Sequence, residues 1–346
     1  MFNFFRPFIF KFSPEIAHSL AIKALKLNNF PLNKPKDNKL LEIEFCGKKL
    51  SSPIGVAAGF DKNAEVYNPL FNLGFGFVEV GTITPKPQYG NPKPRVFRLE
   101  EDEALINRLG FNNSGSDEIS SRIKRIIKKG FLGINIGPNK DTKNRIEDYL
   151  ICFRKFHILA DYITINISSP NTESLRDFHK KDELNSLIKE LKEEKEKLNS
   201  KIPIAIKVSP DLNEDQIDNV AKILLYNEIE IIIISNTSDK NRENLNNINK
   251  LEKGGLSGKP IQEISNKTIL KFYKILGNKV KIIGVGGVDT GQAAFEKIIC
   301  GANLIQLYTG MIYRGPYIAS KISSELIDIL KNKGFKNVSE AIGTKN

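Results

Sequence analysis

The sequence predicts a (β/α)8 barrel with a short helical extension at its N-terminus, and three observations support this fold class. Eight short apolar runs rich in Ile and Val recur along the chain, as in strands that are covered on both faces. Helical patterns lie between these runs, and regular alternation of strand and helix implies a parallel sheet. Eight repeats in a chain of 346 residues imply that the sheet closes into one barrel.

The extension covers residues 1–38 in this prediction, and the barrel covers residues 39–346. Phenylalanines crowd the start of the chain, but Arg6 and Lys11 interrupt them. The run is therefore too short and too polar for a signal peptide or a membrane span.

A second helix is predicted to follow, ending near residue 27. Ser13, Pro14 and Glu15 have the order of an N-cap, a first-turn proline and a first-turn acid. Two short apolar helices of this kind can dock on the barrel or lie in a membrane interface, and the pattern leaves both open. The apolar face of the second helix carries Ile16, Ala17, Leu20, Ala21, Ala24 and Leu25.

A polar linker at 33–38 and a hairpin at 41–50, turning at Cys46 and Gly47, precede the barrel. A later helix, predicted at 182–200, has a charge run at 192–197 that is expected to be a solvated face. Its inward side chains are Leu184, Leu187, Ile188, Leu191 and Leu198. The eight predicted strands lie at 54–58, 77–80, 133–136, 162–167, 204–208, 229–234, 280–285 and 304–307.

The composition argues against several classes of partner. The net charge is +12, but the lysines are scattered and no nucleic-acid-binding signature is present. The three cysteines lie far apart, which favours a reducing compartment and disfavours a disulfide framework or structural zinc. The three histidines have no metal-ligand spacing. We therefore predict neither a nucleic-acid partner nor a metal.

The exit of the fourth predicted strand combines several groups that can contact a ligand. Asn166 and Asn171 each offer amide donors and a carbonyl acceptor, which suits a flat ligand rich in heteroatoms. Ser169 lies between them, and Pro170 stiffens the backbone behind it. An ordinary turn would also use these residue types, so the segment alone does not decide.

Polar side chains follow other strands in the same way, and they favour a site over a turn. Lys62, Asn135, Asn166, Lys207 and Asn236 all fall at predicted strand ends. The carboxyl ends of parallel strands share one rim of a barrel, where active sites form. Buried cations and amides at that rim are costly unless something pairs with them.

Three glycine-containing segments late in the chain predict a phosphate-binding region. They are GGLSG at 254–258, GVGGV at 284–288 and YTG at 308–310. In barrels, the loops after the last two strands bind phosphate through backbone N–H groups. Gly258 and Gly287 would permit a close backbone approach, although glycine in ordinary turns gives a similar pattern.

Nine segments in this order and spacing resemble the dihydroorotate dehydrogenase family, from about residue 40 to 315. They are AAGFDKN, NRLGFNN, GINIGPNK, INISSPNT, IKVSPDL, SNT, GGLSG, GVGGV and YTG. Two features resemble its membrane-associated, quinone-dependent class 2: Ser169 stands where the soluble class has a cysteine base, and the helical extension matches the quinone entrance. Two positions depart mildly from the family pattern. Leu109 stands where the family often has Met or Tyr, and Ser235 stands where Thr is common.

The resemblance implies oxidation of (S)-dihydroorotate to orotate, hydride transfer to FMN and reoxidation by a membrane quinone, in de novo UMP synthesis. Ser169 would be the catalytic base, with Thr172 and Phe111 in a proton relay. The implied substrate residues are Lys62, Asn107, Arg108, Leu109, Gly110, Phe111, Asn112, Asn166, Asn171, Asn236 and Thr237. The implied FMN residues are Ala58, Gly59, Lys62, Thr82, Asn135, Asn166, Lys207, Ser235, Gly258, Gly287, Tyr308 and Thr309. The implied quinone tunnel is lined by His18, Arg98 and Tyr308.

The resemblance also implies a peripheral protein on the cytoplasmic side of the cell inner membrane, held there by the extension. Two alternatives stay open at this point. One is the soluble class of the family, which uses fumarate or NAD. The other is a non-catalytic, phosphate-binding barrel recruited to membranes.

Overall fold

The computed structural model describes residues 2–27, 39–172, 175–240 and 242–345, except for the side chain of Asn3. The polar linker predicted at 33–38 lies outside the described residues. The helices are α1 (Phe2–Phe10), α2 (Pro14–Lys26), α3 (Tyr67–Asn72), α4 (Ser116–Lys124), α5 (Arg145–Phe156), α6 (Lys181–Lys197), α7 (Glu214–Tyr226), α8 (Gln262–Leu276), α9 (Gly291–Ile299), α10 (Thr309–Arg314) and α11 (Ile318–Asn332). The strands are β1 (Ile43–Phe45), β2 (Lys48–Leu50), β3 (Ile54–Val56), β4 (Phe77–Ile83), β5 (Val96–Leu99), β6 (Ala104–Asn107), β7 (Phe131–Ile136), β8 (Tyr162–Asn166), β9 (Ile204–Val208), β10 (Ile231–Ile234), β11 (Gly255–Gly258), β12 (Lys281–Val285) and β13 (Leu304–Leu307).

Eight parallel strands form a closed barrel in the order β10-β12-β13-β3-β4-β7-β8-β9. These are the eight predicted strands, so the (β/α)8 fold class is confirmed. Their side chains are almost all buried, as expected for strands with helices outside and a filled interior. The predicted hairpin is also present as the antiparallel pair β1 and β2.

A three-stranded antiparallel sheet lies outside the barrel, and the sequence did not predict it. Its strand order is β11-β6-β5. β5 and β6 follow β4, and β11 follows β10, so the sheet is built from segments that leave the carboxyl ends of barrel strands. The segment 254–258, predicted as a glycine loop, belongs mainly to strand β11 of this sheet.

The N-terminal extension packs against the outer sheet and against two helices of the barrel domain. α2 contacts β5 and α3, and α1 contacts α10. Ser13 precedes α2 as predicted, but its side chain makes no capping hydrogen bond. The predicted apolar face divides in two, because Leu25 is buried whereas Ile16 and Leu20 are 52% and 47% exposed.

Helix α6 corrects one further expectation. Leu184, Leu187, Ile188 and Leu191 are buried as predicted, and most of the charge run at 192–197 is not buried. Glu194 is the exception, because its carboxylate is buried and accepts hydrogen bonds of 2.8 and 2.9 Å from Arg154. A charged residue within a helical charge run can therefore serve as a helix–helix contact.

Candidate active site

A cavity with about 1130 Å³ of empty space, part of it open to solvent, lies at the carboxyl ends of the barrel strands. Barrel strands, the outer sheet and the loops that follow them supply its walls. It brings together most of the residues that the sequence pointed to. Those lining it are Ala58, Gly59, Lys62, Thr82, Asn107, Leu109, Gly110, Phe111, Asn112, Asn166, Ser169, Asn171, Lys207, Ser235, Asn236, Thr237, Gly258, Gly287, Tyr308 and Thr309.

Five of the predicted residues do not line this cavity. Asn135 lies beneath it and is fully buried. Arg108 forms an ion pair of 2.6 Å with Glu252 and stacks over Phe97. The other three residues that do not line the cavity are His18, Arg98 and Thr172.

Ser169 is buried in the loop that follows β8. Its Oγ accepts a hydrogen bond of 3.2 Å from the backbone N–H of Asn171. The Asn171 side chain donates in turn to the backbone carbonyl of Asn107 at 3.1 Å, which ties this loop to the end of β6. Within the described part of the chain, no carboxylate, imidazole or ammonium group hydrogen-bonds Ser169 Oγ.

A chain of hydrogen-bonded polar side chains runs along the floor of the cavity, from β4 to the segment that follows β10. Thr82 Oγ1 donates to Asn135 Oδ1 at 2.6 Å, and Asn166 Nδ2 donates to the same oxygen at 3.1 Å. Asn166 Oδ1 accepts from the Ser168 hydroxyl at 2.8 Å. Asn236 Nδ2 donates to Ser168 Oγ at 2.9 Å. These bonds hold the amides of Asn166 and Asn236 in defined orientations toward the cavity.

Two lysines bring positive charge to the cavity wall. Lys62 Nζ donates to the backbone carbonyl of Gly59 at 2.7 Å. Burial, together with the positive charge of Arg95, lowers the pKa of Lys62 to about 8, against the raising effect of Glu15 and Asp61. Burial also lowers the pKa of Lys207. An anionic ligand in the cavity would stabilise the charged form of both ammonium groups.

Glycines form one end of the cavity. Gly258 has φ +98° and Gly287 has φ +71°, conformations that favour glycine. A Cβ at Gly258 would lie 2.4 Å from the backbone oxygen of Glu103, and one at Gly287 would lie 2.4 Å from Gln262 Cβ. Packing against their own chain therefore requires glycine at both positions, and both glycines line the cavity.

An aromatic contact path connects the extension to the cavity. The rings of His18 and Phe60 are 5.3 Å apart, and those of Phe60 and Tyr308 are 6.0 Å apart. Burial, helped by the charge of Lys62, lowers the pKa of His18 to about 3, so its imidazole is neutral. Arg98 donates to the backbone carbonyls of Phe10 and Phe12 and stacks on the Phe10 ring.

Sequence reasoning missed one charged residue near the site. Glu79 is fully buried in the middle of β4 and bonds to the network through Asn135. The signal was an acid within an otherwise apolar strand, FVEV at 77–80, where a charge is costly unless it has partners. Apolar residues that line the cavity from the outer sheet, Val96 and Leu105, carried no signal because that sheet was not predicted.

The closed barrel and the polar, lysine-bearing cavity at its carboxyl end define a (β/α)8-barrel enzyme. A model of the dihydroorotate dehydrogenase family matches residues 40–330. Dihydroorotate dehydrogenase (quinone) of Bartonella tribocorum is 46% identical over 340 residues, which are 97% of this chain and 94% of that protein. The protein of the same name from Brucella abortus is 42% identical over 337 residues, covering 96% and 92%.

Solved structures agree with these matches. The crystal structure of a DHODH from Eimeria tenella in complex with ferulenol superposes with a TM-score of 0.93 at 39% identity, covering 96% of this chain and 95% of that chain. A ligand-free structure of the Eimeria protein gives the same TM-score and identity. The chain therefore belongs to the dihydroorotate dehydrogenase family, which confirms the resemblance seen in its motifs.

Proposed function

We propose that this enzyme oxidises (S)-dihydroorotate to orotate and passes the electrons to a quinone, a step of de novo pyrimidine synthesis. Relatives at 42–46% identity over nearly the whole chain are named for this quinone-dependent reaction. The observation that carries the proposal is the position of Ser169. Its hydroxyl lies in one cavity with the ammonium of Lys62 and the amides of Asn107 and Asn236.

The substrate fits the polar half of this cavity. Dihydroorotate is a small ring with amide groups on its edge and one carboxylate. Asn107, Asn171 and Asn236 offer donors and acceptors for the amide edge, and Lys62 offers a charge for the carboxylate. Asn112 also lines the cavity, and its buried Oδ1 has no hydrogen-bond partner among the described residues. An N–H of the substrate would satisfy that oxygen.

FMN is the cofactor that the remaining half of the cavity fits. The backbone at Gly258 and Gly287, which lines the cavity, would hold the phosphate, since backbone N–H groups of glycine-containing segments bind phosphate in such barrels. Lys207 and Thr82 would contact the ring edge. The chemistry that FMN supplies when bound is acceptance of a hydride from substrate C6 and delivery of the electrons to the quinone.

Ser169 would remove the proton from substrate C5. A serine hydroxyl is a weak base, and none of the described carboxylate, imidazole or ammonium groups hydrogen-bonds it. Its proton must therefore leave through water. Phe111, which lines the cavity, would confine that water, and we assign Thr172 to the same relay although it lies outside the cavity lining. Burial of the site would keep bulk solvent from competing with the transfer.

The N-terminal segment 1–38 would act as a membrane-associating unit that admits the quinone, with residues 39–346 as the FMN-binding barrel. Phe4 and Phe8 on α1 are 75% and 63% exposed, and apolar side chains of this kind suit a membrane interface. None of the helices in the described ranges combines the length and hydropathy needed to cross a bilayer. We place the protein peripherally, on the cytoplasmic side of the inner membrane, with His18, Arg98 and Tyr308 along the quinone path.

One assay tests the proposed function. The purified protein should show a flavin spectrum that bleaches when dihydroorotate is added without oxygen. A quinone should then restore the spectrum, whereas fumarate and NAD should not. A colourless protein, or one that bleaches but prefers fumarate or NAD, would contradict the proposal.

Lys62 should make orotate binding depend on pH. Its pKa of about 8 means that the ammonium is charged below pH 8 and becomes neutral as the pH rises above it. Orotate affinity should therefore fall with rising pH, approaching about tenfold per pH unit above 8 if only the charged form binds the carboxylate. Equilibrium titration of orotate against the flavin spectrum between pH 6 and about pH 10 measures this.

The control for that prediction is Lys62→Met, which keeps the length of the side chain without its charge. The variant should bind orotate weakly at pH 7 and lose most of the pH dependence. Equal slopes in the wild type and the variant would show that another group, or orotate itself, is responsible.

A further inference from the structure

Glu79 has a place in the barrel that the proposed mechanism does not use. The residue is fully buried on β4. Its partners come from β7, β8 and β13, and two of these strands are not neighbours of β4 in the barrel. Such side chains can meet only in the barrel interior, beneath the cavity. The carboxylate accepts four hydrogen bonds, from Asn135 Nδ2 at 2.8 Å, Tyr162 Oη at 2.8 Å, Gln306 Nε2 at 2.9 Å and Thr164 Oγ1 at 3.2 Å.

The Glu79 carboxylate, which accepts from four donors, fixes the direction of the polar chain above it. It can only accept hydrogen bonds, so Asn135 must turn its NH2 group downward and its oxygen upward. That oxygen receives the bonds from Thr82 and Asn166. Asn166 must then keep its own oxygen for Ser168, which accepts a bond from Asn236. The orientation of the amides at the cavity thus follows from one buried anion.

Glu79 also opposes the charge of Lys207. Across the described ranges, the Lys207 ammonium has neither a hydrogen bond nor an ion pair within 4 Å, although it lines the cavity. Burial lowers the pKa of Lys207, and the negative charge of Glu79 acts against this. Charges interact over longer distances in a barrel interior than in water, because the interior screens them poorly. Glu79 therefore holds the cavity floor closer to neutral.

We propose that Glu79 is a positioning residue that orients Asn135 and Asn166, offsets the charge of Lys207, and thereby sets the redox potential of bound FMN. The inference rests on the proposed function, because it takes FMN to be the group held above these residues. Reduction adds negative charge to a flavin. A floor that has lost its anion should favour the reduced form and raise the midpoint potential.

The experiment compares flavin midpoint potentials in variants that change charge and keep size. Chemical reduction in the presence of a reference dye gives the potential without using dihydroorotate. Glu79→Gln should raise the potential by at least about 30 mV, which is a tenfold change in the affinity ratio of reduced and oxidised FMN for a two-electron couple. Lys207→Gln should lower it, and the double variant should lie near the wild type.

Tyr162→Phe is the matched control, because it removes one hydrogen bond from the carboxylate and leaves every charge in place. Its shift should be smaller than that of Glu79→Gln, and Glu79→Asp should recover part of the wild-type potential. A Glu79→Gln potential that falls, in the same direction as that of Lys207→Gln, is incompatible with loss of an anion and would overturn the proposal. So would a Glu79→Gln protein that binds FMN at the wild-type potential.

Loss of one of two opposite buried charges can prevent folding, even where the two groups are not in contact, whereas removal of both is better tolerated. If Glu79→Gln does not fold, the double variant decides. A folded double variant with a potential near the wild type supports the proposal, and one displaced as far as Lys207→Gln overturns it. A wild-type protein that binds no flavin would instead contradict the proposed function itself, and is recognised before any variant is made.

Discussion

Replacing Ser169 by alanine should slow the reduction of bound flavin by dihydroorotate by about a hundredfold to ten-thousandfold, the usual effect of losing a general base. The hydroxyl is buried in the cavity and, among the described residues, makes one hydrogen bond, which it accepts from the backbone N–H of Asn171. Its removal should therefore leave folding, flavin content and orotate affinity close to those of the wild type. Anaerobic stopped-flow measurement of flavin reduction isolates this step from reaction with the quinone.

The comparison needs Ser169→Cys and a pH series. A thiol can also act as a base and loses its proton at lower pH, so Ser169→Cys should retain part of the activity. The wild-type rate should rise with pH, because the serine must pass its proton to water before or during the transfer. Flavin reduction at a near-wild-type rate in Ser169→Ala would remove this residue as the base.

The barrel was predictable because its strands carry their own signal. Strands that are buried on both faces must be continuously apolar, and eight such runs fix the sheet without knowledge of any contact. The outer sheet carries no comparable signal. β6 pairs with β11, whose residues lie some 150 positions later in the chain, as Asn107 opposite Gly255 shows. Pairing between segments so far apart is not visible in a local pattern.

The same limit applies to individual side chains of the site. Most of the predicted strand-end residues lie at the cavity, because the pleat and the shared rim dictate their position. Arg108 lies in a matching motif, yet its guanidinium turns to Glu252, 144 residues away in sequence. Glu194 is buried and accepts hydrogen bonds from Arg154 in another helix. A sequence pattern identifies which residues lie near the site. The direction of a long charged side chain depends on its tertiary partners, which the pattern does not show.

The extension shows a third kind of limit. The helical period correctly predicts an apolar stripe on α2, but it does not say what covers the stripe. Leu25, together with Ile22, is buried, while Ile16 and Leu20 remain about half exposed. The sequence left open whether α2 docks on the barrel or lies in a membrane interface. A single apolar stripe can do both, with one part docked on the protein and another part available to a membrane.

Deletion of residues 1–38 should leave a folded, flavin-containing barrel that reacts with dihydroorotate but has lost quinone turnover. The extension contributes no barrel strand, so the core persists. The truncation removes His18 and the aromatic contact from α2 to Phe60, and it frees Arg98 from the carbonyls of Phe10 and Phe12. Flavin reduction and its reoxidation by quinone, measured as separate half-reactions, should therefore respond differently.

Membrane attachment can be separated from quinone access by changing exposed residues alone. Phe4→Ser with Phe8→Ser alters two side chains of α1 that are mostly solvent-exposed and should not disturb the docked face of α2. Burial of a phenylalanine contributes roughly 2 kcal/mol, so the double change should weaken vesicle binding on the order of a hundredfold or more. Turnover with a water-soluble quinone should stay near the wild type, because His18, Arg98 and Tyr308 are intact.

Each of these two predictions has an outcome that would contradict it. Full quinone turnover in the truncated protein would show that the electrons leave the flavin by another route. Unchanged vesicle binding in the double variant would place the membrane contact elsewhere on the chain.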